Sequence, residues 1–278
     1  MIPPIGYASD TNSAETNATI AAACRSVLEI GDPAAKVKQA RAMVRAWRRG
    51  DLAYQFDVVM PDRPARPAEP ELLPPNRMPR RGKGGSERGR IALIHALAHI
   101  EFVAIDLAFD LAGRFGSHFS REFVDDWLSV GADEAMHFAL LDRRLRTLGS
   151  HYGALAAHDG LWEAAEATAH DPLARLAVVP MVLEARGLDV TPVTIDRFLA
   201  AGDEGTARIL KRILADEIRH VAYGATWFRA ACESTGIAVE SHWREMIRRH
   251  FRGVIKPPFN DSAREAAGLP REFYAPLA

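Results

Sequence analysis

Cysteine is nearly missing from this chain. Cys24 and Cys232 are the only two in 278 residues and form no C-x-x-C pair, so neither a disulfide framework nor a thiolate zinc site is expected. An excess of either charge is missing as well. The 35 Lys and Arg face 36 Asp and Glu, a formal net charge of -1, which leaves no global basic field to draw in nucleic acid or a membrane. No apolar run reaches 18 residues, so no spanning helix is expected. The opening MIPPIGYASD lacks the basic and apolar regions of a secretory signal, which makes the cytoplasm the expected location. What remains is an ordinary globular composition, 48% hydrophobic and 26% charged, long enough for one full core with additions.

Against that background two short stretches stand out: Asp133-Glu134-Ala135-Met136-His137 and Asp216-Glu217-Ile218-Arg219-His220. Each sets a carboxylate and an imidazole three residues apart, side by side on one helix face. No other Glu-x-x-His occurs. Glu101 precedes Glu134 by 33 residues and Glu184 precedes Glu217 by the same 33, so the two halves superimpose at an offset of 83. A lone Glu-x-x-His is common on a solvated helix face. Here the equal spacing, the Asp repeated before each Glu and the apolar run from Ile91 to Ile105 around Glu101 argue for burial, and a buried carboxylate without a partner is costly.

Four carboxylates and two neutral imidazoles would give two ions a mixed oxygen and nitrogen shell, suited to iron or manganese. Their charge would cancel that of two divalent cations. The expected ligands are therefore Glu101, Glu134, His137, Glu184, Glu217 and His220, which are also the expected catalytic centre. A metal-bound His donates its second ring N–H to a carboxylate. Asp133 is expected to orient His220 and Asp216 to orient His137, with Arg219 pairing with one of these aspartates or pointing to solvent. Tyr223, one turn past His220, is a candidate pocket residue or a packed core tyrosine. His95, His99, Trp127 and Trp162 read as packing residues.

The rest of the chain divides around this set. Residues 1–15 read as irregular, and the region 1–56 carries two helices, about 16–30 and 34–49. The second is opened by Asp32-Pro33; Val37, Ala40, Val44 and Trp47 form its apolar stripe, opposite Arg41, Arg45, Arg48 and Arg49. Residues 57–88 form an extended arm. Prolines at 61, 64, 67, 70, 74, 75 and 79 exclude helix and central strand, while Arg63, Arg66, Arg77, Arg80, Arg81 and Lys83 make the arm basic. It is expected to wrap the helices. Contact with an anionic partner such as RNA is the alternative, although no aromatics interleave to stack bases.

Residues 89–236 form an antiparallel four-helix bundle, all-α. Its first helix runs from near Ser86 to Gly113 and its second from Ser120 to Gly149. Roughly 18 Å of helix separates Glu101 from the turn and roughly 21 Å separates the turn from Glu134, at 1.5 Å per residue, which brings both to one depth. A crossover at 150–171 holds a short helix near 161–169. Asp171-Pro172 starts the third helix, and Asp203 starts the fourth, which runs to about Ser234. Pro180 should kink the third helix; Gly187 and Pro192 should end it, leaving Val193–Ala201 as a separate piece. Residues 237–278 add a helix near 240–252 and a Pro-containing tail.

The order Glu, Glu-x-x-His, Glu, Glu-x-x-His matches the donor set of the ferritin-like carboxylate bundles. Asp216-Glu217-Ile218-Arg219-His220 resembles the Asp-Glu-x-Arg-His signature of bacterial multicomponent monooxygenases. HALAHIEFVAIDLAFD, AHDGLWEAA and VLEARGLDVTP more closely resemble a bacterial ferritin-like family known only as a domain of unknown function, over roughly residues 40–255. That family is similar to the tRNA-isopentenyladenosine hydroxylases. The resemblance implies the ferritin-like fold, a site of two iron ions (with Mn/Fe or di-manganese as alternatives) and dioxygen as cosubstrate. The expected function is a non-haem di-iron oxygenase or oxidase acting on a small molecule or a modified nucleoside, with an external ferredoxin or flavin reductase as electron donor. A ferroxidase, peroxidase or iron-handling protein is the alternative. The substrate and the oligomeric state, a dimer among the options, are left open.

Overall fold

The computed structural model describes residues 18–79 and 86–278. The expected irregular residues 1–15, and Arg80, Arg81 and Lys83 of the arm, lie outside them. The described residues are all-α, a helical bundle with no strand.

Two helices lead in. α1 (Ile20–Leu28) is capped by Thr19, whose hydroxyl accepts from Ala22 N. α2 (Pro33–Arg49) is capped by Asp32 with Pro33 at its first position, and Gly50 ends it in the left-handed conformation (φ 81°). That conformation suits a glycine because it has no Cβ. α1 packs on α3 (Glu87–Phe115) and α2 on α4 (Arg121–Thr147). The arm between them is pinned at both ends. Pro61 O accepts from Arg114, Asp62 O accepts from Trp162 Nε1 at 3.1 Å, and the backbone around Leu72 pairs with Ala157.

α3 is the centre of the molecule. Its 29 residues are buried almost all round from Phe102 to Gly113, because α1, α4 and α5 (Gly160–Ala167) each cover a side. Residues Glu87–His118 are long and apolar enough to cross a membrane by composition alone, which a search for uninterrupted apolar runs misses. In the fold most of that stretch is covered by protein, and Glu101, Asp106 and Asp110 lie buried within it. A short turn (Gly116–His118) then reverses the chain into α4. The buried stripe of α4 reads Phe123, Trp127, Val130, Glu134, His137, Phe138, Leu141 and Leu145, the three- and four-residue spacing of one helix face. Glu134 and His137 occupy positions on that stripe where apolar side chains would otherwise stand.

After the crossover, α6 (Pro172–Val178) is capped by Asp171. It continues through a π-helical segment, Val179–Glu184, into α7 (Ala185–Ala200). Pro180 therefore widens the helix by one π turn. The expected break at Gly187 and Pro192 does not occur: α7 runs through both, and Val193–Ala201 is not a separate piece. The carbonyl that Pro192 cannot bond is that of Leu188, four residues earlier, and Asn260 Nδ2 donates to it at 3.1 Å. The tail supplies the missing donor, so the helix survives. α8 (Glu204–Ser234) follows, capped by Asp203, and packs against α4, α6, the π segment and α7. Its Gly224 lies under Pro180, where a Cβ would come within 2.5 Å of the proline ring.

α9 (Val239–His250) closes the expected C-terminal helix. The tail beyond it is more than an extended end. It folds into α10 (Asp261–Ala266) and α11 (Arg271–Tyr274), and buried Arg264 reaches back to Asp189 of α7 at 2.7 Å. One continuous apolar core extends from Ile20 to Tyr274.

Candidate metal centre

The two Glu-x-x-His pairs face each other across α4 and α8. Each imidazole turns Nδ1 toward glutamates and Nε2 toward an aspartate of the opposite helix. His137 Nδ1 lies 3.2 Å from Glu101 Oε2, 3.4 Å from Glu134 Oε2 and 4.0 Å from Glu217 Oε1. His220 Nδ1 lies 3.0 Å from Glu134 Oε1 and 3.5 Å from Glu217 Oε1. Glu134 thus presents one oxygen to each histidine, and Glu217 stands between the same two rings, whose centroids are 5.9 Å apart. Glu101 from α3 completes the His137 side.

Donor atoms of Glu101, Glu134, His137 and Glu217 all lie within 4.8 Å of one another. His220 and Glu184 lie outside that tightest group. His220 adjoins it through Glu134. Glu184, at the end of the π segment, adjoins it through Glu217 and Glu134, whose charges bear on it.

The aspartates stand where their spacing predicts. His137 Nε2–H donates to Asp216 Oδ2 at 3.1 Å, and His220 Nε2–H to Asp133 Oδ2 at 3.3 Å; the proton is placed by the partner, since a carboxylate accepts. Arg219 pairs with Asp133 at 2.5 Å and approaches Asp216 at 3.6 Å. Arg212, one turn before Asp216 and absent from the sequence reading, donates to Asp216 at 2.6 Å. Its i,i+4 spacing from Asp216 was the available signal. Burial pushes Asp133 up, but His220 and Arg219 outweigh it and hold its carboxyl below the usual range.

The electrostatics inside the cluster are those of a site short of positive charge. Among the described residues no Lys or Arg forms an ion pair with any of the four glutamates. Burial, and then the neighbouring Glu134 charge, push Glu101 well above its ordinary value. Burial and Glu217 do the same to Glu184, and burial and Glu134 raise Glu217. Burial works against the imidazolium of His137, yet Glu101 and Glu134 more than offset it and push this group up to about 11. Burial likewise opposes a charged His220, and Glu217, Asp133 and Glu134 override it. Burial also works against the Glu134 charge, but the adjacent imidazoles of His137 and His220 hold it well below the carboxylate range. Without a cation, protons must do the neutralising.

The cluster could hold a metal ion. Glu184 Oε2 and His220 Nδ1 are buried without a hydrogen-bond partner; the 3.0 Å approach of His220 Nδ1 to Glu134 is off the hydrogen-bond direction. A buried polar atom left unmatched is expensive, and an ion between these atoms would satisfy both. The 3.0–3.5 Å separations are roughly the distance between neighbouring ligands around an ion with bonds of about 2.1 Å. The donors are oxygen and nitrogen only, with no thiolate among them.

A cavity of about 230 Å³ opens beside the cluster, with Glu101, Glu134, Glu184 and Glu217 in its lining and otherwise mostly apolar walls. The π segment and α7 contribute Val179, Leu183, Gly187 and Val190 to it. Tyr223 is not among the lining residues, contrary to the pocket role considered for it. It stands half-buried beside Asp126 of α4, where burial and then that carboxylate raise it. A wider cleft of about 750 Å³ between α2, the arm and α4 touches none of the six donors. His99 is buried and satisfied, bonded to Tyr152 Oη at 2.9 Å and His158 O at 3.1 Å. His95 Nε2 accepts from Gly153 N at 3.0 Å. Trp127 and Trp162 are core residues, and Cys24 and Cys232 are buried and free.

Comparison with known proteins adds a family and no chemistry. Residues 29–275 match the family described as "Protein of unknown function (DUF455)". An "Uncharacterized protein" of Haemophilus influenzae (strain ATCC 51907 / DSM 11121 / KW20 / Rd) is 43% identical over 209 residues, covering 73% of this chain and 72% of the relative. No solved structure matches.

Proposed function

Since the chain belongs to the DUF455 family of unknown function, we propose its activity from the site itself: a non-haem di-iron oxygenase or oxidase built on a ferritin-like bundle. The observation that carries this reading is the placement of a carboxylate-rich, cation-poor donor cluster in the wall of an apolar cavity. Two iron ions held there, with manganese as the substitute, would bind and reduce dioxygen, placing one oxygen atom in the substrate and one in water with two electrons from an external ferredoxin or flavin reductase and two protons.

The chain's own part is to hold, orient and exclude. His137 and His220 offer Nδ1 while Asp216 and Asp133 fix the tautomer and ring plane from behind. Arg212 and Arg219 hold those aspartates in turn. Glu101, Glu134, Glu184 and Glu217 supply four negative charges, the number two divalent ions require. The apolar walls keep water from the reacting centre.

The same walls weigh against the ferroxidase alternative. A hydrated ferrous ion would have to shed water along Leu, Ile and Val side chains, which offer no replacement ligands. The test is metal analysis of the isolated protein, followed by oxygen consumption by the reduced form. About two irons per chain are expected, with Glu134→Ala reducing the content to below one. A wild-type chain that takes up neither iron nor manganese, or a Glu134→Ala variant with undiminished content, would overturn the assignment.

A further inference from the structure

The cavity also says what kind of group the site accepts. Its walls come from Leu97, Ile100 and Ala104 of α3 and from Leu183, Gly187 and Val190 of the π segment and α7. Ile100 and Val190 are exposed at its mouth, although large apolar side chains normally turn inward. Among the described residues, Arg186 is the one Lys or Arg in the lining, and its Nη1 is engaged by Lys256 O and Pro258 O at 2.9 Å each; the imidazole of His158, also in the lining, accepts from Gly160 N through Nδ1 at 3.3 Å. Four carboxylates loaded with two divalent ions carry no net charge. Neither the walls nor the loaded floor therefore offers a counter-charge to an ionic group at depth, and burying one unpaired would be prohibitive.

Volume sets the size of the group. An apolar protein cavity of about 150 Å³ holds benzene, so one of about 230 Å³ holds roughly eight to ten non-hydrogen atoms.

Gly187 makes the room. It lies one turn beyond Glu184 and one turn before Val190, on the helix face turned to the cavity, and a Cβ built there meets nothing within 4 Å. A glycine inside a helix costs backbone entropy without contributing packing. Neither a turn nor a positive φ requires one here. The space a side chain would fill is the cavity itself.

From these observations we infer that the site takes an uncharged, apolar group of about eight to ten non-hydrogen atoms, a short alkyl or alkenyl chain or a single ring. We further infer that Gly187 sets its size. Any polar remainder of the substrate stays at the mouth, near Arg186 and Thr191. The inference rests on the reading of this cavity as the approach to the metal cluster, but the binding it requires does not need the metal.

The test titrates the full chain, in iron-loaded and metal-free forms, with straight-chain primary alcohols from butanol to dodecanol, followed by calorimetry. Affinity is expected to rise roughly three- to fourfold per added methylene and to level off near eight to ten carbons. An α,ω-dicarboxylate of matching length should bind at least tenfold more weakly than the alcohol. Gly187→Leu should weaken octanol binding at least tenfold while leaving helicity and iron content unchanged.

Affinity independent of chain length, equal binding of the dicarboxylate, or a folded Gly187→Leu variant that binds octanol like the wild type would each overturn the inference. The length series on the unmutated chain decides the matter if the variant misfolds. Length-dependent binding without iron uptake would sink the metal assignment alone. Iron uptake without length-dependent binding would sink the substrate class alone.

Discussion

Helix α3 carries buried acids of two kinds, three positions of one helix with opposite fates. Asp106 and Asp110 are fully buried and answered by cations of the chain itself: Lys36 and Arg66 for the first, Arg114 and Arg175 for the second. Glu101, about one and a half turns from Asp106, is nearly as buried, yet its neighbours are His137 and further carboxylates. The first pair tie α2, the arm and α6 to the core. The second cluster ties nothing that a well-packed apolar set could not tie better. The fold answers two acids with Lys and Arg and, among the described residues, gives the four glutamates only the two imidazoles, a cluster that could hold a metal ion.

That contrast can be broken from either side. The largest effect belongs to the paired acids. Arg175→Met should destabilise the protein by about 3–5 kcal/mol, the cost of stranding one member of a buried pair, read from urea unfolding. Stability within about 1 kcal/mol of wild type would mean that Arg114 alone satisfies Asp110.

Next comes the matching contrast between imidazoles. Burial, and then Arg66, lower His99 to about 4, whereas the carboxylates push His137 up to about 11. Between pH 6.5 and 4 the unfolded chain binds a proton at His99 that the folded one refuses, so stability falls as pH falls through that window. The loss is about 3 kcal/mol for this group. His99→Gln should flatten that part of the stability–pH curve, and an unchanged acid slope would refute it.

Smaller, and opposite in sign to the first, Glu101→Gln should stabilise the metal-free protein by about 1–2 kcal/mol by removing one of several repelling buried acids, while iron content drops below two per chain. Destabilisation of the metal-free form would erase the distinction between the two sets. The mildest test leaves charge aside. Asn260→Ala should cost about 1 kcal/mol, the net value of one neutral hydrogen bond, and should increase amide exchange in α7 near Leu188. Unaltered exchange there would show that the helix tolerates Pro192 without help.

How much of this was readable beforehand follows from distance along the chain. The helix starts at Asp32, Ser86, Asp171 and Asp203 were legible because a cap is local, a side chain meeting an amide two or three positions on. The convergence of Glu101, Glu134, His137, Glu217 and His220 was legible because a repeat of 83 residues carries its geometry with it. Arg114 stands at i,i+4 from Asp110 and is legible as a cap is, by local spacing, but Lys36, Arg66 and Arg175 lie 40 to 70 residues from their acids with no pattern to mark them. Pro192 misled for the same reason: the donor that rescues its helix sits in the tail, at Asn260. For Tyr223 the register from His220 leaves a pocket role and a packing role both open, and the ring is not in the cavity lining.

The contact between Gly224 and Pro180 carries a consequence out of proportion to its size. A single hydrogen at Gly224 is all that lets the proline ring settle onto α8, and a methyl there would meet rigid carbon at 2.5 Å. Neither residue bears a donor atom, yet Glu184 sits four positions from one and His220 four positions from the other. Replacing that hydrogen would act as a wedge driven between two halves of the centre, parting Glu184 from Glu217 and His220 while every donor remained in the chain.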